Sequence, residues 1–241
     1  MALLHEDDIT ELVEAVGNKH SERVLPMVDA ALAKAGLMLG DIDVFAFGAG
    51  PGSFTGLRIA CGIAQGLAYG KGKQVVPVGN LRALAASAFM KSVHGNVLLA
   101  AVDARMNEAY CAIYRRDVQV TEIREPCLQR PASLVQLAAD EAVDIVAGNA
   151  LVTFAGVWPQ GARWIALPDA TSSAALIATL ARLDAARGLA VNPERAAPVY
   201  VRDHVALTIE ERRKKASAAS GGDGERSFPQ TTVASSATER P

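Results

Sequence analysis

The sequence is poor in cysteine, in net charge and in long apolar runs. Its three cysteines, Cys61, Cys111 and Cys127, have no CxxC spacing, which disfavours a disulfide framework or a structural zinc site and favours a reducing cytoplasm. A formal net charge of -2 over 241 residues gives no general electrostatic footprint for nucleic acid. Because no run of about 18 apolar residues is present, we expect no membrane span. The acidic residues 6–8 are unlike a signal peptide.

What the chain does have is apolar residues, at 50% of the total, which suffices for one large domain or two small lobes with real cores. Apolar patterns of strand type alternate with patterns of helix type, which predicts an α/β fold with a mixed sheet. The predicted strands are 9–16, 44–47, 75–78, 96–103, 108–114, 118–123, 143–147 and 163–166. The predicted helices are 21–35, 55–69, 80–90, 131–139 and 172–187.

The strand pattern starts afresh near Asn96, where consecutive strands follow one another. We therefore predict an N-terminal lobe over 1–95 and a C-terminal lobe over 96–212, the end of which can return to the first lobe. Residues 213–241 contain no Leu, Ile or Met. Such a segment buries too little apolar area to offset its ordering entropy, so we predict a disordered tail and assign it no function.

A glycine-rich turn at 48–54 joins a predicted strand to the predicted helix that starts at Thr55. Ser53 or Thr55 can cap the helix, and free backbone amides there could bind an anion. A Walker motif, however, needs Gly-Lys-Ser/Thr where this loop has Gly56-Leu57-Arg58, and the dinucleotide fingerprint needs a glycine at Ser53. We therefore favour a structural turn over a phosphate loop. The loop residues are Gly50, Pro51, Gly52, Ser53, Phe54, Thr55 and Gly56.

The helix after this loop carries Gly62, Gly66 and Gly70, which repeat every four residues and share one face. Each glycine inside a helix costs about 1 kcal/mol relative to alanine. Their simplest use is close backbone approach, which predicts tight packing of a second helix or of a sheet along that face. The spacing does not say whether the packing element belongs to the same chain or to a partner.

The run Gly50-Pro-Gly-Ser-Phe-Thr-Gly-Leu-Arg58 with this helix resembles the TsaB family, formerly YeaZ. That family provides the dimerisation subunit of the bacterial threonylcarbamoyladenosine synthase. Further matches lie at His20–Met27, Asp103–Tyr110 and Pro198–Arg202, in the family's order and spacing. The resemblance spans about residues 2–206, and the nine-residue loop is its most specific part.

The resemblance implies an actin-like and sugar-kinase-like fold, with two lobes that are each built on a mixed sheet. It implies that the chain does no chemistry and binds a catalytic paralogue, TsaD. That enzyme transfers a threonylcarbamoyl group from its adenylate to an adenosine beside the tRNA anticodon. A TsaE-like ATPase acts on the pair, and tRNA is met only through the complex. No cofactor is expected on this chain alone, but ATP or ADP can lie at the partner interface.

The resemblance also implies that two N-lobe helices, over about 21–35 and 55–69, form both the heterodimer and a homodimer. The apolar stripe of the first helix and the glycine face of the second suit a helical bundle across subunits. The predicted interface residues are Val24, Met27, Val28, Ala31, Leu32, Arg58, Gly62, Ile63, Gly66 and Gly70.

No catalytic or metal-binding residue is predicted. The His-x-x-x-His metal motif of the catalytic paralogue falls on Asn80 and Leu84 here, and the four histidines of the chain are scattered singly. Asp103 and Glu108 stand where kinase-like folds place functional acids, although a charge-stabilised turn with Arg105 is the favoured interpretation. The alternatives are an independent ATP-dependent phosphotransferase or peptidase of the same fold and, less favoured, a direct tRNA-binding module.

The chain departs from the family pattern at its start. Family members begin with a strand, a turn and a second strand, whereas residues 2–4 here look like the end of that second strand. The family's first strand is central in the N-lobe sheet. We therefore expect the sheet to lack this strand because of a misassigned start or a truncation.

Overall fold

The structure, a computed structural model, describes residues 1–15, 17 and 19–202. The predicted tail over 213–241 lies outside these residues. The strands are β1 (Ala2–His5), β2 (Asp8–Glu11), β3 (Val44–Gly50), β4 (Gln74–Gly79), β5 (Val97–Arg105), β6 (Glu108–Arg115), β7 (Thr121–Gln129), β8 (Ile145–Ala147) and β9 (Ile165–Leu167). The helices are α1 (His20–Ala35), α2 (Phe54–Lys71), α3 (Asn80–Lys91), α4 (Pro131–Asp140), α5 (Ala150–Thr153) and α6 (Ala174–Ala186).

The first two strands form an antiparallel hairpin that is shorter than the predicted strand over 9–16. β2 begins at Asp8, and its last backbone pairing is between Leu12 and Met1, where each residue's N–H donates to the other's carbonyl. Strand pairing needs a neighbour, and none of the described residues pairs with the segment after Leu12. The strand therefore stops early, and the prediction for 13–15 is wrong, while residue 16 lies outside the described residues.

A second, parallel pair is formed by β3 and β4, which confirms the two buried strands predicted there and lengthens both. Val191 adds one antiparallel bridge to Val75, and the Val199 N–H donates to the Ala49 carbonyl oxygen at 2.8 Å. Helix α6 packs against β1, β3 and β4. Between β1 and β3 the described residues place no strand, and an apolar cleft of about 710 Å³ lies there.

The five later strands form a mixed sheet in the order β7-β6-β5-β8-β9, as the alternating patterns predict. The centre of β5, Leu98–Ala101, is fully buried, because α3 covers one face and α4 and α5 cover the other. β7 runs over 121–129 instead of 118–123. Its start is delayed because Asp117 accepts hydrogen bonds from the N–H groups of Gln119 and Thr121 and so holds a turn there.

Most predicted helices are confirmed, with one correction at the end of α2. Gly70 does not close this helix, which continues to Lys71. Gly72 instead adopts the left-handed conformation at φ 63°, and the Lys73 N–H returns to the Ala68 carbonyl. Gly36 closes α1 as predicted. No helix over the described residues is long and apolar enough to cross a membrane.

Candidate functional site

The glycine-rich loop leaves the end of β3 and enters α2 at Phe54. Ser53, not Thr55, caps the helix: its Oγ accepts from the Gly56 N–H at 3.4 Å, and its carbonyl accepts from the Leu57 N–H at 2.9 Å. The Gly50–Pro51 peptide bond is cis. The cap engages the Gly56 amide that an anion at this helix start would use, which favours the structural-turn interpretation.

Neighbouring groups of the same chain explain two of the loop glycines. A β-carbon on Gly48 would lie 2.3 Å from Oδ1 of Asn80, at the start of α3. Gly50 has φ 125°, and a β-carbon there would lie 2.6 Å from the Val199 carbonyl oxygen. Asn80 also donates from Nδ2 to the Pro51 carbonyl at 3.1 Å and thereby fixes the loop. The loop is thus shaped by internal packing.

An aromatic and cationic cluster stands at the start of α2. The Arg58 guanidinium lies 3.9 Å from the centre of the Phe54 ring, and its Nε donates to the Tyr200 hydroxyl at 3.0 Å. The Phe54 and Tyr200 rings are 5.3 Å apart, and both remain partly exposed. Stacking on the Phe54 ring holds the Arg58 guanidinium on the exposed side of α2, where it is available to an interface. Tyr200 was not predicted, although the motif over 198–202 was its signal.

The glycine face of α2 is open in this structure. Gly62, Gly66 and Gly70 are all exposed, and a β-carbon on any of them would meet no described atom within 4 Å. No sheet or helix in the described part of the chain therefore explains these glycines by close approach. Ile63 lies half-buried beside them, and Arg58 continues the exposed face toward the loop.

The predicted interface residues of α1 face elsewhere. Met27, Ala31 and Leu32 are only 8%, 0% and 7% exposed and pack inward, with Leu32 and Ala31 against Leu3 of β1. Val24 and Val28 are half-buried and line the apolar cleft. The structure thus brings the α2 residues together on one surface but does not bring the α1 stripe onto it.

The two positions that match the paralogue's metal motif, Asn80 and Leu84, make structural contacts. Leu84 is buried in the main core, and Asn80 holds the loop. Among the described residues, no group of three or more His, Cys, Asp or Glu side chains is placed to hold a metal ion.

Asp103 belongs to a tight turn between β5 and β6. Its Oδ1 accepts from the Arg105 N–H at 2.8 Å, and Arg105, Met106 and Asn107 all have positive φ. This geometry supports the turn interpretation over a catalytic acid. Nearby on β6 and β7, the Cys111 and Cys127 sulfurs are 3.6 Å apart as free thiols. Burial raises the pKa of the Cys111 thiol, which makes it a poor nucleophile at neutral pH.

Comparisons with known proteins agree with this geometry. Residues 13–222 match the family TsaD, tRNA N6-adenosine threonylcarbamoyltransferase. The chain is 34% identical over 220 residues to the tRNA threonylcarbamoyladenosine biosynthesis protein TsaB of Escherichia coli, covering 86% of this chain and 90% of that one. It is 50% identical over 110 residues to the protein of the same name from Haemophilus influenzae, an alignment covering 46% of each chain.

A solved structure from Pseudomonas aeruginosa, described as an uncharacterized protein with similarity to peptidase YEAZ, superposes with a TM-score of 0.74. The two chains are 36% identical, and the match covers 83% of this chain and 93% of that one. The mixed sheets, the loop and the similarity to these relatives are consistent with an actin-like α/β fold. The chain belongs to the TsaB (YeaZ) branch of the TsaD family.

Proposed function

We propose that this chain acts in tRNA threonylcarbamoyladenosine biosynthesis as a non-catalytic subunit that binds a TsaD-like catalytic subunit. The names of its relatives in Escherichia coli and Haemophilus influenzae support the pathway. The observation that carries the subunit role is the open glycine face of α2, which the described part of the chain leaves uncovered.

The physical argument starts from the cost of the glycines. Each of the mid-helix glycines Gly62 and Gly66 sacrifices about 1 kcal/mol of helix stability relative to alanine. A helix from a partner can approach a surface without side chains closely, at or below the usual 8–10 Å between axes. The helix stability lost at these glycines is therefore offset only when a second helix packs on the glycine face of α2.

The cluster at the start of α2 suits the edge of such an interface. Arginine and tyrosine are enriched among the residues that dominate binding energy, and Arg58 is held in place by Phe54 and Tyr200. A stacked guanidinium loses little side-chain freedom on binding. A partner of the same fold, either TsaD-like or a second copy of this chain, would use the same surface, so the two dimers compete.

The residues at the paralogue's metal positions support a non-catalytic role for this chain and a catalytic role for its partner. A buried Leu84 offers no ligand atom, and Asn80, which donates from Nδ2 to the Pro51 carbonyl, offers no imidazole nitrogen. The catalytic partner then supplies the metal and the transfer chemistry. A TsaE-like ATPase acts on the pair, ATP or ADP lies at the interface if bound, and tRNA is met through the complex in the cytoplasm.

The test is co-expression of this chain with the TsaD-like protein of its own source organism. We expect a heterodimer on size exclusion at micromolar concentration, and loss of threonylcarbamoyladenosine from tRNA when this chain is depleted. Absence of a complex together with normal tRNA modification would sink the proposal. Multiple-turnover ATP or peptide hydrolysis by the purified chain would instead favour the phosphotransferase or peptidase alternative.

A further inference from the structure

Two of the three cysteines face each other across neighbouring strands of the five-stranded sheet. Cys111 of β6 lies directly opposite Cys127 of β7 in the antiparallel register, and their sulfurs are 3.6 Å apart. Both are free thiols. The third cysteine, Cys61, belongs to α2 and to a different core cluster, where its thiol donates to the Ala196 carbonyl. The pair therefore lies outside the glycine face of α2, and the proposed function makes no use of it.

The backbone already holds Cys111 and Cys127 at a separation that a disulfide bond can span. Residues directly opposite each other in an antiparallel pair have Cα atoms about 4.5–5.5 Å apart. Disulfide bonds join residues with Cα atoms about 4.4–6.8 Å apart. To bring the sulfurs from 3.6 Å to the bonded distance of about 2 Å, the side chains have to rotate, but β6 and β7 can keep their pairing.

The two thiols differ in their access to solvent. Cys111 is fully buried in the core cluster that includes Leu134 of α4, whereas Cys127 is half-buried on β7, the edge strand of the sheet. The Gln129 amide donates from Nε2 to the Cys127 sulfur at 3.8 Å and so helps to position it. Burial, and after it the neighbouring Cys127, raises the pKa of the Cys111 thiol, which therefore stays protonated. A dissolved oxidant thus meets the Cys127 sulfur first.

We propose that Cys111 and Cys127 form a redox-modification site, which a peroxide oxidises to an intramolecular disulfide bond and a small dithiol reduces again. In the first step the Cys127 thiolate attacks one oxygen of hydrogen peroxide, and the O–O bond breaks. Cys127 becomes a sulfenic acid, and the other oxygen leaves as hydroxide and takes up the former thiol proton to form water. In the second step the Cys111 sulfur attacks the sulfenic sulfur, and the S–O bond breaks. The hydroxide leaves with the Cys111 proton as a second water, so two thiols and one peroxide give one disulfide and two waters.

Proximity compensates for the weak nucleophilicity of the buried thiol. Because the Cys111 sulfur is already 3.6 Å from that of Cys127, the second step is intramolecular and needs no encounter with a free thiol. A sulfenic acid that finds no thiol can be oxidised further to a sulfinic acid, which thiols do not reverse. The pair thus keeps the oxidation of Cys127 reversible. In a reducing compartment such a disulfide is transient, which distinguishes it from a structural framework.

The direct test treats the full 241-residue chain with hydrogen peroxide and maps its tryptic peptides without reduction. Trypsin cuts after Arg115 and Arg124, so the two cysteines lie on separate peptides. We expect one new species that joins these peptides and has lost the mass of H₂, and dithiothreitol should restore the separate peptides. Cys61 should remain a free thiol and is the internal control. A map without the linked peptides, or with Cys61 or a second copy of the chain as the main partner, would overturn the proposal.

Three variants test the order of the two steps. Cys111→Ala leaves Cys127 without its neighbouring thiol, so its sulfenic acid should persist and be captured by dimedone at least about 10-fold more than in wild type. Cys127→Ser should abolish the link and leave the buried Cys111 unmodified. Cys61→Ala, the matched control, should form the link in wild-type yield. Equal dimedone capture by wild type and Cys111→Ala, or oxidation of Cys111 in Cys127→Ser, would contradict the order. The wild-type map decides the pairing independently of these variants.

Discussion

Gly48 and Asn80 share one space: a β-carbon on Gly48 would lie 2.3 Å from the Asn80 Oδ1. Gly48 lies in β3, two residues before its end at Gly50, and Asn80 begins α3, so two residues that are 32 positions apart meet where the glycine-rich loop starts. In this position the Asn80 side chain donates from Nδ2 to the Pro51 carbonyl, a bond that fixes the loop leading into α2.

This contact predicts a specific coupling. Gly48→Ala should turn the Asn80 side chain away and cost about 1 kcal/mol of unfolding free energy, the value of the lost hydrogen bond. In an Asn80→Ala background the same change should cost little. Urea denaturation of the four proteins gives the coupling energy. Additive effects would contradict the shared space.

Gly50→Ala is the contrasting variant for this Gly48/Asn80 double-mutant comparison. Its β-carbon would meet a backbone atom, the Val199 carbonyl oxygen, at a φ of 125° that side chains rarely adopt. We expect a cost of about 2 kcal/mol or more, and Asn80→Ala should not relieve it.

Removing one partner of the buried Arg82–Asp184 ion pair should strongly lower the unfolding free energy. Asp184 is 4% exposed and accepts two hydrogen bonds from Arg82, at 2.5 and 3.1 Å, across α3 and α6. Asp184→Ala strands a partly buried guanidinium and should cost roughly 3–5 kcal/mol. The double variant Arg82→Met/Asp184→Leu should recover most of that loss in thermal denaturation.

An exposed ion pair serves as the control for this prediction. Glu14 accepts two hydrogen bonds from Arg23 on the surface, and solvent screens that attraction. Glu14→Ala should leave the unfolding free energy unchanged within error. If both pairs respond alike, burial is not the cause.

Asp144 should give part of the stability a defined pH dependence. Backbone N–H groups of Asn96 and Val97 donate to its carboxylate at 2.7 and 3.0 Å, which lowers its pKa in the folded chain. The stabilisation is fully present above the unfolded pKa of about 3.9 and is lost as the pH falls through the folded value. The stability difference between wild type and Asp144→Asn should therefore be present at pH 7 and shrink below pH 4.

Chemical denaturation at several pH values measures that difference. Asp29→Asn, on an exposed position of α1, is the matched control. A difference for Asp144 that stays constant from pH 7 down to about pH 3 would contradict the hydrogen-bond explanation.

Gly66→Leu should separate folding from partner binding. The free chain has open space at this position, and leucine is a better helix former, so its Tm should hold or rise. A close-packed partner helix would meet the new side chain, and overpacking of about 1–3 kcal/mol weakens binding about 5- to 150-fold. Titration against the TsaD-like subunit measures this change.

Gly156→Leu is the matched control, because Gly156 is also exposed with open space but lies far along the chain from α2. It should bind the partner like wild type. Equal binding by both variants would exclude the glycine face as the interface.

The sequence by itself determined the local elements and the special loop. The helical repeat of Gly62, Gly66 and Gly70 predicted a packing face, and the loop after β3 predicted a capped turn, because both signals depend on neighbours in the chain. The choice between Ser53 and Thr55 as the cap needed the backbone path. The strand over 9–16 was overextended because its length depends on a partner strand, which periodicity does not contain.

Only the tertiary structure decided which way each face points. Met27, Ala31 and Leu32 form a stripe that suits a partner or a core equally well. All three are buried in the structure, where Ala31 and Leu32 pack against Leu3 of β1. The same spacing on α2 left its glycines uncovered, because no other described element reaches that face. Periodicity gives a helix its apolar side, but the contacts of distant segments determine whether that side meets its own chain or another molecule.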